Sequence, residues 1–426
     1  MNHSRTRVVI TGLGAISPLA LNMPQMWERL IAGQSGVARI TQFDASRMPC
    51  QIAGEVKGFE PKEYMEARDA RRISRASQFA LAATREALSD AGLIGGLSGG
   101  FNDPERAGIV LGNGIGGIEK IAEAVEVQRQ RGYDKLNPFL LPAMLSNLPG
   151  HHISKTYRAL GPLNTIVTAC AAGTQAVGEA AELIRRGAAD VVITGGVEAA
   201  IQDFLIGCFC VMRALPVNYN DRPEQASRPF DKNREGFIFS EGCGILILER
   251  LEHALDRGAR IYAEVLGHAA SSDAYDVAKP DPEGAGAVRV MRWALRDAGL
   301  TPDQIDYINA HGTSTAANDA GETRAIKQVF GDRAYSIPIS STKSMIGHTL
   351  GAAGALEAIV CVQTLRHNLI HPTINYETPD PECDLDYVPN TARSVPVRAT
   401  LSNSFGLGGQ NASLVLGKYE AGAVGV

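Results

Sequence analysis

The chain is 426 residues long, 45% apolar and 20% charged, with 46 acidic side chains against 41 lysines and arginines. A chain of this length buries most of its apolar surface without help from disulfides or metals, and a net charge of −5 excludes broad electrostatic attraction to nucleic acid, though not a local basic patch. Seven cysteines, an odd number with no C-x-x-C pair, make neither a disulfide framework nor a zinc ribbon and point to a reducing, cytoplasmic setting.

The first predicted element is a strand, Arg7–Thr11, entering a glycine turn at Gly12 and Gly14. Arg5 and Arg7 before an apolar run imitate an export signal, but Gly12, Gly14 and Pro18 interrupt it. Arg68, Arg71, Arg72 and Arg75 stand at i, i+3, i+4 and i+7, so on one helix they share a face. Glu60, Glu63, Glu66 and Asp69 nearly balance them, as on a solvated face, yet lie mainly to their N-terminal side. A helix follows over Ser77–Asp90, then a strand over Ala107–Leu111. Gly112-Asn-Gly-Ile-Gly-Gly117 next imitates a dinucleotide fingerprint. The helix after it, from about Ile118 to Arg131, runs into a loop where that motif needs a second strand ending in an acid. A tight structural loop beside a site is the better reading. The uncharged stretch 159–178 has the length of a membrane span, but Asn164, Thr165, Thr168, Thr174 and Gln175 are too polar for lipid.

Within that stretch a strand (Asn164–Ala169) leads to Cys170, and a small-residue helix (Ala171–Arg186) leaves it. A thiol at a helix N-terminus has its thiolate stabilised, which lowers its pKa, and the free N–H groups there can hold an oxyanion. The plainer alternative is a small buried cysteine filling a gap. The other six cysteines have no such placement.

Ala87-Leu-Ser-Asp-Ala-Gly-Leu93 recurs as Ala294-Leu-Arg-Asp-Ala-Gly-Leu300. Both copies end a helix, the second over Ala287–Asp297, and both run on to an apolar strand, here Ile305–Asn309. Each is followed by strand, short loop and small-residue helix; in the second copy these are Ser336–Ser341, a loop through His348, and Gly351–Leu365. Two duplicated α/β halves dividing near residue 255 are inferred. His311 stands just past a strand end and His348 before a helix, both in loops of small residues. Either alone would pass for a structural histidine; two at strand ends of one half point to a ligand site. No ligand spacing for a metal accompanies them. Lys343 lies among hydroxyls and apolar residues, a setting suited to positioning a carbonyl or a negative charge. A last glycine loop, Ser402–Asn411, precedes a strand over Ser413–Leu416.

From about residue 6 to 417 the sequence resembles β-ketoacyl-acyl-carrier-protein synthases, specifically the elongating II-type condensing enzymes and their polyketide relatives. The resemblance rests on Thr168–Thr174, Ser227-Arg-Pro-Phe-Asp231 with Arg234 and Gly236, Asn309–Thr315, Ser341–His348 with Gly351-Ala-Ala-Gly354, and Asn403–Gly409. It implies an α/β, thiolase-like, five-layered αβαβα fold from two duplicated halves. Residues 1–255 would carry the nucleophile and 256–426 the two histidines. It implies a homodimer that condenses an acyl-cysteine with malonyl-acyl-carrier protein, decarboxylating it, in fatty acid elongation. A specialised polyketide or lipid ketosynthase and a non-catalytic partner of the same fold are the alternatives; an intact Cys170, His311 and His348 argues against the latter.

By the same resemblance Cys170 is the nucleophile, and its N–H with that of Phe405 forms the oxyanion hole. His311 and His348 stabilise the enolate, supported by Lys343, Asp319 and Glu357. Thr313, Thr315, Ile115 and Leu407 bind substrate, and Arg68, Arg71 and Arg72 dock the acidic acyl carrier protein. No metal or cofactor is implied beyond the carrier's phosphopantetheine, and no nucleic acid or membrane insertion. The gate loop of the family usually reads N-S-F-G-F-G-G-T-N. Here Leu407 replaces the second phenylalanine and Gln410 the threonine.

Overall fold

The structure of the protein, a computed structural model, describes residues 5–94 and 101–420. The outermost residues of the two predicted halves, 1–4 and 421–426, lie outside that range, as do 95–100. Ten strands make one mixed sheet. They are β1 (Val8–Ile16), β2 (Ala107–Asn113), β3 (Leu163–Ile166), β4 (Val191–Glu198), β5 (Gly242–Arg250), β6 (Ala263–Ser272), β7 (Tyr307–Asn309), β8 (Ile339–Ser340), β9 (Ala399–Gly406) and β10 (Gln410–Gly417). The sheet order is β8-β7-β9-β10-β6-β1-β5-β4-β2-β3. From the centre outward the two arms have the same topology. β1-β5-β4 and β6-β10-β9 pair antiparallel, then β4-β2-β3 and β9-β7-β8 pair parallel. The arms join through a short antiparallel contact, Val9 opposite Glu264 and Ile10 opposite Ala263.

Six helices matter here: α1 (Arg75–Asp90), α2 (Ile118–Arg131), α3 (Ala172–Arg185), α4 (Ala285–Ala298), α5 (Ala316–Phe330) and α6 (Ala353–His367). α1 covers the outer face of the first arm and α4 that of the second, while α3 and α6 pack between the arms against strands of both. That makes five layers. α6 is buried on every side from Ala353 to Leu365, which fits its nearly unbroken run of apolar and small residues. Among the described residues no helix is long and apolar enough to cross a membrane.

The repeated heptapeptide now has a physical meaning. β1 does not stop at Thr11 as the glycines predicted; it runs on to Ile16. Gly12 serves close approach instead of a turn: a Cβ there would stand 2.2 Å from the Ala87 carbonyl oxygen and 2.7 Å from the Ala91 Cβ. Gly267 on β6 meets the second copy in the same way, 2.8 Å from the Ala294 oxygen and 2.4 Å from the Ala298 nitrogen. In each copy the aspartate accepts from the amide just after that glycine, Leu13 to Asp90 at 3.0 Å and His268 to Asp297 at 2.9 Å. Gly92 and Gly299 then leave the helix at φ +67° and +66°.

The arginine stripe is corrected. Arg68 sits in a one-turn helix, Ala67–Ala70, and Arg71 caps it. Ser74 then starts α1 afresh, its side chain accepting from the Ser77 amide. Arg75 therefore turns away and pairs with the buried Glu241 at 2.8 Å. Arg68 and Arg71 are exposed, and Arg72 lies over the Phe139 ring, 4.3 Å from its centroid.

Candidate active site

Matching strands of the two arms deliver the chemistry. Cys170 follows β3, and Lys343 and His348 follow its counterpart β8; His311 follows β7. Cys170, His311 and His348 face a cavity of about 520 Å³ that Thr313, Thr315, Phe405 and Leu407 also line, while Lys343 is buried outside that lining. Of the seven cysteines only Cys170 lines it. A larger hollow of about 740 Å³, around Tyr64, Arg85, Glu86 and Tyr157, contains neither cysteine nor histidine.

Cys170 lies in a single 3-10 turn, Ala169–Ala171, immediately before α3. Ala169 holds φ +48°, a left-handed conformation costly for a residue with a Cβ. That bend lifts the next side chain out of the strand direction and into the cavity. The lowered thiol pKa expected from the helix end is not found. Burial dominates and pushes Cys170 up to about 11, opposed by the Leu407 amide and by Lys343. Burial of the sulfur outweighs the Leu407 and Cys170 amides and the Lys343 charge, which all favour the thiolate.

The amide that faces the Cys170 sulfur is that of Leu407, whereas Phe405 is paired with Asn411 in the sheet. The Phe405 ring stands edge-on to His311, centroids 5.5 Å apart. The backbone at Gly406 is so close to the nucleophile turn that a Cβ there would be 2.8 Å from the Thr168 oxygen and 3.3 Å from the Cys170 nitrogen. Leu407 itself is 40% exposed at the cavity rim.

The two imidazoles are nearly perpendicular, centroids 5.4 Å apart and interplanar angle 85°. Nδ1 of His348 accepts from the Leu350 amide at 3.3 Å, so the neutral ring carries its proton on Nε2. Burial, then the positive charge of Lys343, holds both histidines well below the ordinary histidine range. Lys343 is itself fully buried and forms an ion pair with Glu357. Burial pushes Glu357 up to about 7 against the pull of Lys343. Asp319 touches neither histidine: it accepts from Ser314 at 3.2 Å and Phe230 at 2.8 Å and faces Arg234, fixing the loop beyond His311. The Thr313 and Thr315 hydroxyls lie 3.0 Å apart on the cavity wall. Ile115 lies outside the cavity lining and packs in the apolar cluster that also contains Cys170, Phe209 and Leu350.

Two buried acids escaped the sequence analysis. Glu322 accepts from the amides of His311 at 2.9 Å and Gly312 at 2.8 Å, so it fastens the backbone of a candidate catalytic residue. It stands three residues past Asp319 on α5, a spacing that puts both on one face. Glu198, at the end of β4, accepts from Gly114, Ile115 and Gly351. It thereby occupies amides that a phosphate would need in the glycine loop and ties that loop to the turn before α6. Burial pushes both acids up to about 7.

Residues 5–254 match the model of the β-ketoacyl synthase N-terminal domain and residues 262–377 that of the C-terminal domain. The 3-oxoacyl-[acyl-carrier-protein] synthase 2 of Synechocystis is 46% identical over 98% of this chain and 100% of its own length. The protein of the same name from Coxiella burnetii is 47% identical over 97% of this chain and 99% of its own. Among solved structures, a type II polyketide acyl-carrier protein in complex with its ketosynthase bound to the hexaketide aligns with TM-score 0.89 and 35% identity, over 98% of this chain and 100% of that one. With both family models matched along most of the sequence and full-length relatives near half identity, the chain that brings one thiol and two imidazoles to a single cavity belongs to the β-ketoacyl synthase family.

Proposed function

We propose that Cys170, His311 and His348 divide between them the reaction of a 3-oxoacyl-acyl-carrier-protein synthase. The protein is an acyltransferase of fatty acid elongation: it condenses an acyl thioester with malonyl-acyl-carrier protein. The observation that carries the division of labour is the single cavity holding one thiol opposite two neutral imidazoles. The Cys170 sulfur attacks the acyl thioester, its proton leaves with the carrier thiol, and the amides of Cys170 and Leu407 hold the tetrahedral oxyanion. Malonyl thioester then loses its carboxylate as CO2. The enolate oxygen accepts from Nε2 of His348 and from the ring N–H of His311, and its carbon attacks the acyl-cysteine. Collapse of that adduct releases the 3-oxoacyl product and a Cys170 thiolate, which takes one proton from solvent. The substrates ride on the carrier's phosphopantetheine, and Thr313 and Thr315 are placed to bind along it. Leu407 and, from the apolar cluster, Ile115 shape the acyl end.

The partner is an acidic acyl carrier protein, met by the exposed Arg68 and Arg71 with Arg72 behind them on Phe139. A second copy of the chain fits the free edge at β3, where Leu160, Leu163 and Val167 are exposed; an open apolar edge invites continuation of the sheet. A reducing cytoplasm suits a thiol nucleophile among free cysteines. Offered acyl-carrier and malonyl-carrier together, the protein should release CO2 and give the 3-oxoacyl product by mass. Release of free acid alone would sink the reading. Reversing Arg68 and Arg71 to Glu should raise KM for the carrier substrate most at low salt and spare a small pantetheine thioester.

The two half-reactions should separate by pH. Acylation needs the Cys170 thiolate, so its rate should climb with pH toward the thiol's value of about 11. Decarboxylation needs neutral imidazoles, and a lowered histidine pKa keeps them neutral at and above the ordinary range. CO2 release should therefore not fall as the pH rises through and above the ordinary histidine range. Single-turnover acylation and CO2 release, followed across pH, would show it; parallel profiles would contradict it.

A further inference from the structure

His371 is a buried histidine that the reaction above does not use. It follows the short strand Leu369–Ile370 and is fully buried, as are Tyr307, Asn309, Ser340 and Thr342 around it. Nδ1 lies 2.9 Å from the Pro372 carbonyl oxygen. A carbonyl can only accept, so Nδ1 carries the proton and Nε2 is the acceptor. The nearest donor to Nε2 is the Thr342 hydroxyl at 3.0 Å, with Ser340 and Tyr307 hydroxyls at 3.3 Å. Its hydrogen thus committed, the Thr342 oxygen accepts from Asn309 Nδ2 at 2.9 Å, and the same amide reaches the Tyr307 hydroxyl at 3.0 Å. Two neighbouring contacts bind the same segments: the Thr373 hydroxyl accepts from the Ser341 amide, and the Ser344 hydroxyl from the Ile374 amide.

The order of residues gives this cluster its importance. Thr342 immediately precedes Lys343, and Asn309 stands two residues before His311. β7 and β8 pair over only two residue pairs, Ile308 with Ile339 and Asn309 with Ser340, so little ladder holds the two loops in register. We propose that His371 is a positioning residue for decarboxylation: by fixing which way the Thr342 hydroxyl points, it locks the loop bearing Lys343 to the loop bearing His311. The inference rests on the assignment of decarboxylation to the histidine pair. Nε2 is the acceptor at the centre of this buried network, in which Asn309 is held through its Nδ2 alone, its Oδ1 having no partner among the described residues, so loss of that acceptor leaves the Thr342 hydroxyl and the Asn309 amide free to reorient.

His371→Leu keeps the bulk and removes that acceptor. In the Cys170→Ala background it should slow CO2 release from malonyl thioester by about tenfold or more, since small misplacements of reacting groups cost that much. On otherwise wild-type protein it should slow single-turnover acylation of Cys170 far less, because Lys343 reaches the sulfur only through its charge. Thr342→Val should show the same selective loss, and it keeps the question answerable if His371→Leu folds poorly. His371→Gln, whose Oε1 can accept from Thr342, should restore most of the rate. CO2 release at the parent rate in both Leu and Val variants, an equal fall in both half-reactions, or no rescue by Gln would overturn the proposal. A Cys170→Ala parent that releases no CO2 would overturn the histidine assignment itself, and this inference with it.

Discussion

The Cys170→Ala variant should make no 3-oxoacyl product, a loss of at least about 10⁴-fold in condensation, and still release CO2 from malonyl thioester. The asymmetry follows from geometry. Cys170 is the only cysteine on the cavity wall, so nothing else can hold the acyl chain. The imidazoles are anchored without it, His348 through Leu350 and the His311 backbone through Glu322. Incubation of wild type with acyl-carrier, followed by peptide mass analysis, should place the adduct on Cys170. Turnover surviving in the alanine variant, with the adduct on another cysteine, would refute the assignment.

His311→Ala and His348→Ala should fail in the opposite half-reaction. Each removes one donor to the enolate oxygen, worth about 3 kcal/mol or more than a hundredfold in rate. Acylation should persist in both, because the oxyanion amides of Cys170 and Leu407 belong to other segments. His311→Ala leaves its own amide on Glu322, so the loop keeps its anchor. Single-turnover acylation beside CO2 release distinguishes the roles. A variant that decarboxylates but cannot be acylated would reverse them.

Motif residues were legible in the sequence where their neighbours were small. Glycines and hydroxyls around Cys170, His311 and His348 leave room for a substrate, and that shows in a linear string. The duplicated heptapeptide showed as well, although its purpose did not. Nothing in the sequence told that Gly12 faces the Ala87 carbonyl instead of making a turn. Burial was the main hidden variable: a local rule put the Cys170 thiol low, and the finished core puts it high. Glu322 and Glu198 were silent because their partners are backbone amides, which every residue but proline has. The arginine periodicity misled because i, i+3, i+4 spacing does not register a cap; Ser74, three residues before Ser77, breaks the face. That the Leu407 amide faces the Cys170 sulfur follows from how the strand end meets the nucleophile turn, a matter of three-dimensional approach.

α3 comes from the first half of the chain and α6 from the second, yet each is packed against strands of both. Their seam is made of glycine: a Cβ on Gly354 would stand 1.9 Å from the Thr174 hydroxyl oxygen, and one on Gly173 would stand 2.8 Å from the Ala355 nitrogen. A half-length ancestor would have left this face bare to water and found cover only in another copy of itself. The present chain is in that sense a fused pair whose members have since diverged, one keeping a thiol and the other two imidazoles. A methyl group added at the seam would push the two chemistries apart.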